Sequence, residues 1–110
     1  MDIYNKSITE LSDLLNKKVL SSLEMTDYFI KRIKLFDSKL NSFITINEDQ
    51  ARKQAIFADS MIASKKNHLL TGIPIAHKDL FSTKGVLTSC GSKMLENYIP
   101  PYDATVVSKL

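Results

Sequence analysis

Neither glycine nor proline occurs in the first 71 residues of this 110-residue chain; all three of each lie from Gly72 onward. The two residues that most readily interrupt a helix are thus missing from the first part, which predicts helix through residues 1–66. The remainder is punctuated for strands, turns and short helices. With one cysteine, Cys90, no internal disulfide can form, and the sequence reads as that of a reducing compartment, the cytoplasm. Long apolar runs are missing too. The longest stretch without Asp, Glu, Lys or Arg is Asn67 to His77, eleven residues, against the roughly 20 apolar residues of a membrane-crossing helix. The start, Met1-Asp2-Ile3-Tyr4-Asn5, has no basic region ahead of an apolar core, which predicts no secretory leader. Charge of one sign is not in excess: 15 Lys/Arg face 12 Asp/Glu, and the basic residues are dispersed, without the run or stripe of a nucleic-acid arm. What remains, 44% hydrophobic and 25% charged, is an ordinary globular composition sized for one small domain.

Three helices are legible in the first part. Ser7 with Glu10 and Ser21 with Glu24 each have the spacing of a capping box, in which serine and glutamate satisfy amides at a helix start. Behind the first, Ile8, Leu11 and Leu15 form an apolar stripe; behind the second, Met25, Phe29, Ile33 and Phe36 do so, ending near Asp37-Ser38. Asn47 with Gln50 opens a third helix, whose narrow face of Ala51, Ala55, Ala58 and Ile62 lets another backbone approach. Between the second and third, Phe43-Ile44-Thr45-Ile46 is β-branched and aromatic and predicts a short strand.

After Gly72 the chain changes character, and Ile73 to Leu80 predicts a second strand, with Pro74 tolerable near its entry. Alternation sets Ile73, Ile75 and His77 on one face and Pro74, Ala76 and Lys78 on the other. Lys78 then sits at a strand end beside small and stiff apolar neighbours. Two readings follow. A lysine is a general base only when neutral, which burial against Ala76 and Ile75 would favour; alternatively, Lys78 is a surface lysine paired with Asp79 or Asp103. Further on, Thr83 to Val86 is turn-like, Gly91 to Asn97 predicts a short helix, and a last helix starts near Asp103 as N-cap.

Other chemistry finds less support. His77 and Asp79 with Ser82, Ser89 or Cys90 have the residue types of a triad, but no glycine-flanked nucleophile elbow exists. Cys90 has no nearby basic partner and reads as a buried, inert thiol. His68 and His77 lack the cysteine or carboxylate spacing of a metal site, so none is expected. The terminal Ser108-Lys109-Leu110 matches a peroxisomal address, but it falls inside an unfinished helix and reads as accidental.

The segment Leu70-Thr71-Gly72-Ile73-Pro74-Ile75-Ala76-His77-Lys78-Asp79 resembles the strand that delivers the catalytic lysine in the amidase signature family. Thr83-Lys84-Gly85-Val86, Ser92-Lys93-Met94-Leu95 and Pro100 to Val107 are similar to the branch of that family that feeds ammonia to tRNA-dependent amidotransferases. The resemblance implies an α/β fold, a mixed β-sheet flanked by helices, with residues 1–110 the N-terminal portion of one amidase domain cut at its C-terminus. It implies a Ser–cis-Ser–Lys triad with Lys78 as the base. Glutamine is the implied ammonia source, and misacylated Glu-tRNA(Gln) the acceptor. The implied partners are the B and C subunits of such a complex, with ATP and Mg²⁺ used by the partner and no membrane involved. Both serines of the triad lie in a Gly/Ser-rich stretch that a chain with three glycines does not contain, so the 110 residues alone are expected to be inactive. Two further readings stand beside this one: a fragment of another amidase-signature hydrolase, and a small helical adaptor without catalysis.

Overall fold

A computed structural model describes residues 2–110. The described chain divides into two compact units, residues 2–43 with 47–74, and residues 44–46 with 75–110. In the first unit, α1 (Ile8–Asn16), α2 (Ser22–Leu40) and α3 (Glu48–Ala63) stand where the apolar periodicity and caps put them. Both capping boxes form: Ser7 accepts from the Glu10 amide and Ser21 from the Glu24 amide, while each glutamate accepts from its serine's N–H and hydroxyl. The serine N–H, then the serine hydroxyl, holds each glutamate carboxyl below its ordinary value of 4.5. A depressed folded pKa gives stabilisation that is complete above pH 4.5 and fades as the pH falls through the folded value. Urea midpoints of the chain and of a Glu10→Gln/Glu24→Gln variant should accordingly differ at neutral pH and converge on acidification. A difference that persists unchanged at acid pH would contradict an ionised cap.

The helix ends show what local spacing missed. α2 runs past Asp37 to Leu40 because Asn41 takes a left-handed conformation (φ 51°) and its N–H reaches the Asp37 carbonyl at 2.7 Å. The Asp37 carboxylate meanwhile accepts the Ser42 and Phe43 amides at 2.8 and 3.2 Å, tying down the chain beyond the cap. Asn47 is the N-cap of α3, but its side chain makes no capping bond and donates to Gln50 Oε1 instead. The start of α2 has a second cap, from α3: Asp59 accepts the Ser22 and Leu23 amides at 2.7 and 3.2 Å, placing a carboxylate against the positive end of the α2 dipole. Arg52 bridges Asp27 and Glu48, and Lys34 also reaches Glu48, fixing the register of α2 on α3.

The core of this unit is Ile3, Leu11, Leu15, Leu20, Met25 and Ile62, with Leu14, Tyr28, Phe29 and Ile73 packed against it. Ile8, expected in the α1 stripe, is exposed. Two buried serines hold the segment that follows α3: the Ser12 hydroxyl donates to the Leu69 carbonyl and the Ser22 hydroxyl to the Gly72 carbonyl. Gly72 is favoured here on two counts. Its φ is +86°, and a Cβ would meet Leu15 Cδ1 and Ser22 Cβ at 3.2 Å.

The expected mixed β-sheet is absent. Among the described residues the chain has four α-helices and one 3₁₀ turn, and no strand. Phe43 to Ile46 and Ile73 to Leu80, both expected as strands, are irregular, and Ile44 and Ile75 stay 66% and 47% exposed. The physical reason is that β-propensity describes fitness for a pleated, half-buried surface with a hydrogen-bonding neighbour, and neither segment pairs with another in a ladder. Local turns take their place, with the Phe81 amide returning to the Lys78 carbonyl at 3.1 Å.

The second unit is built of turns. Thr83 to Val86 closes on itself through the Val86 amide and Thr83 carbonyl, with Gly85 at φ +75°. The Gly85 and Thr88 amides donate to the Pro100 and Tyr98 carbonyls at 3.1 and 3.0 Å, so the stretch before Pro101 runs back along residues 85–88. The expected helix over 91–97 is reduced to the 3₁₀ turn Lys93–Leu95, capped by Ser92. The final helix, α4 (Thr105–Ser108), has Ala104 at its N-cap position with no side-chain capping bond; Asp103, expected there, accepts the Lys84 amide with its carboxylate at 2.7 Å.

Candidate functional site

Residues 75–92 gather the side chains with chemical potential. Lys78 is exposed, as are Ala76, His77 and Ile75. The shielding that a neutral lysine needs is therefore not supplied by the neighbours that alternation assigned to it. Neither of its expected ion-pair partners is engaged with it: Asp103 binds the Lys84 amide, and Asp79 is occupied by Ser89. Among the described residues the Lys78 ammonium has no salt bridge.

Asp79 is the most highly coordinated group of the unit. Its Oδ1 accepts the Ser89 amide at 2.9 Å, its Oδ2 accepts the Ser89 hydroxyl, and its backbone carbonyl accepts the Cys90 amide at 2.8 Å. The Ser89 hydroxyl first, and the amides of the same turn after it, hold the Asp79 carboxyl below its ordinary value. Stretches ten residues apart in sequence are thereby fastened together. Sequence reasoning weighed Asp79 only as an ion-pair or triad member, and no local signal announces a partner at that distance.

The triad residues do not assemble as one. Asp79 meets Ser89 and not His77, while Ser82 faces the Tyr102 hydroxyl at a marginal 3.5 Å and passes its carbonyl to the Ala104 amide at 2.7 Å. Cys90 is exposed. No group of three His, Cys, Asp or Glu that could hold a metal occurs among the described residues. No helix of the described residues is long and apolar enough to cross a membrane.

The profile of the Amidase family matches residues 24–110. The chain is 53% identical to the A subunit of the glutamyl-tRNA(Gln) amidotransferase of Marinobacter nauticus, over 96% of this chain and 22% of that protein. It is 54% identical to the protein of the same name from Nitrosomonas eutropha, over 97% of this chain and 22% of that protein. With that of Psychrobacter sp. the identity is 51% over 99% of this chain and again 22% of the relative. The chain thus spans 22% of the length of these curated relatives.

Proposed function

The chain belongs to the amidase family, and on that premise we propose that it is the lysine-bearing N-terminal portion of the glutaminase subunit of a glutamyl-tRNA(Gln) amidotransferase. The observation that carries the reading is the Leu70 to Asp79 segment. It holds Gly72 at a left-handed, closely packed position that favours glycine and presents Lys78 on a peptide held at its own carbonyl and at Asp79, in a chain about half identical to amidotransferase subunits. In this proposal Lys78 is the general base. It takes a proton relayed through one serine from a second, whose oxygen attacks the carboxamide carbon of glutamine. The C–N bond breaks, ammonia leaves with the relayed proton, and water hydrolyses the acyl-enzyme to glutamate. The rest of the protein supplies both serines, the oxyanion-hole donors and the shielding of the amine. Ammonia then passes to the B subunit, which activates Glu-tRNA(Gln) with ATP and Mg²⁺, and the C subunit completes the cytoplasmic complex.

Ammonia release from glutamine tests this. The full-length protein in its complex should release it, whereas the purified 110-residue chain should release none above a Lys78→Ala control. Activity of the short chain would overturn the division of the triad. A full-length protein that hydrolyses other amides and not glutamine would make it a different amidase-signature hydrolase, and one without any hydrolysis would favour an adaptor.

A further inference from the structure

We propose that Asp79 is a positioning residue for Lys78, fastening the peptide that carries the lysine to the Thr88–Gly91 turn. The inference rests on the reading of Lys78 as the base and goes beyond it by assigning what holds that base in place.

The Lys78–Asp79 peptide is held at its own carbonyl and at the residue after it. The Lys78 carbonyl accepts the Phe81 amide at 3.1 Å, the Asp79 carbonyl accepts the Cys90 amide at 2.8 Å, and the Asp79 carboxylate takes both the amide and the hydroxyl of Ser89. The turn on the far side is itself rigidly built. The Ser92 amide donates to the Ser89 carbonyl at 2.9 Å, and the Thr88 amide and hydroxyl engage Tyr98 and Val86. Thr88 and Ser89 are 3% and 8% exposed. Cys90 and Gly91 follow each other at φ +53° and +67°, a left-handed pair that an L side chain rarely adopts and that persists only where its surroundings hold it. At this turn the Ser89 amide meets the Asp79 carboxylate and the Cys90 amide meets the Asp79 carbonyl.

Among the described residues the Lys78 side chain has no such fastening. A fixed backbone under an exposed, unpaired amine is what a lysine needs if its amine is to meet a substrate or relay. A carboxylate suits the task because its charge strengthens each hydrogen bond. Held below its ordinary pKa, it also stays an acceptor through the neutral range, so the clamp does not open with moderate changes of pH.

The test uses the full-length protein in its complex, with steady-state glutamine-driven and ammonium-driven amidation measured side by side. Asp79→Ala should lower kcat for the glutamine-driven reaction about 10²-fold, the scale of a misplaced catalytic group. The KM for glutamine and the ammonium-driven rate, which the partner subunit carries, should be preserved. Asp79→Asn retains an acceptor for the Ser89 amide and should recover most of the loss. Ser89→Ala, which leaves Asp79 its two amide donors, should lower kcat in the same selective way by a smaller factor; it decides the matter if Asp79→Ala fails to assemble. Unchanged glutamine-driven kcat in both alanine variants overturns the proposal, as does an equal fall of both reactions in both variants, which marks Asp79 as a fold element only. Lys78→Arg separates the two levels. If that variant keeps glutamine-driven activity, the reading of the base has failed; if it is dead while Asp79→Ala and Ser89→Ala run at full kcat, only the positioning role has.

Discussion

Truncating Met25 to alanine should destabilise the first unit by about 2–5 kcal/mol, the range for deleting a large side chain from a packed core. Met25 has no exposed surface, lies in the first turns of α2, and belongs to the cluster with Leu11, Leu15, Leu20 and Ile62. That cluster is drawn from the N-terminal segment, α1, α2 and α3, with the Ile73 stretch packed against it. A void there cannot be closed by the movement of one element, which places the loss toward the upper part of that range. Met25→Leu conserves volume and should cost less than about 1.5 kcal/mol. The measurement is the urea midpoint at unchanged slope, so that the shift reports stability and not a change in the unfolded chain. If Met25→Ala and Met25→Leu gave the same small shift, the core would not be centred on this residue.

The helices around Met25 were readable because their signals are local. Ser7–Glu10 and Ser21–Glu24 lie three residues apart, and both pairs form the bonds that the spacing requires. Asp59, which caps α2 from α3, was not readable, since its partners Ser22 and Leu23 are 37 and 36 positions away. The same holds for Asp79 and Ser89. Asp79 and Asp103 were weighed as ion-pair partners of Lys78, yet both, like Asp37 and Asp59, accept backbone amides instead. The β-sheet failed for a different reason. Ile44 and Ile75 have strand-forming side chains, but a strand needs a neighbour, and identity of side chain does not supply one. Lys78 divides in the same manner: the motif around it was legible in the sequence, while its surroundings were not, because Ala76 and Ile75 are exposed and provide no cover.

The central claim is that Lys78 is the proton acceptor for glutamine hydrolysis, and Lys78→Arg in the full-length protein within its complex tests it most directly. Lysine can act as a base once shielded, whereas arginine stays charged, with a pKa above about 12. The substitution keeps the cation and most of the volume while removing the acceptor. Lys78 is exposed and makes no salt bridge among the described residues, so its replacement disturbs no packing of this chain. Glutamine-driven formation of Gln-tRNA(Gln) should fall by about 10²- to 10⁴-fold, the scale of a lost general base, while added ammonium salt should restore product, since the partner's reaction needs only ammonia. A variant that makes Gln-tRNA(Gln) from glutamine at the parent's rate would contradict the assignment of Lys78 outright.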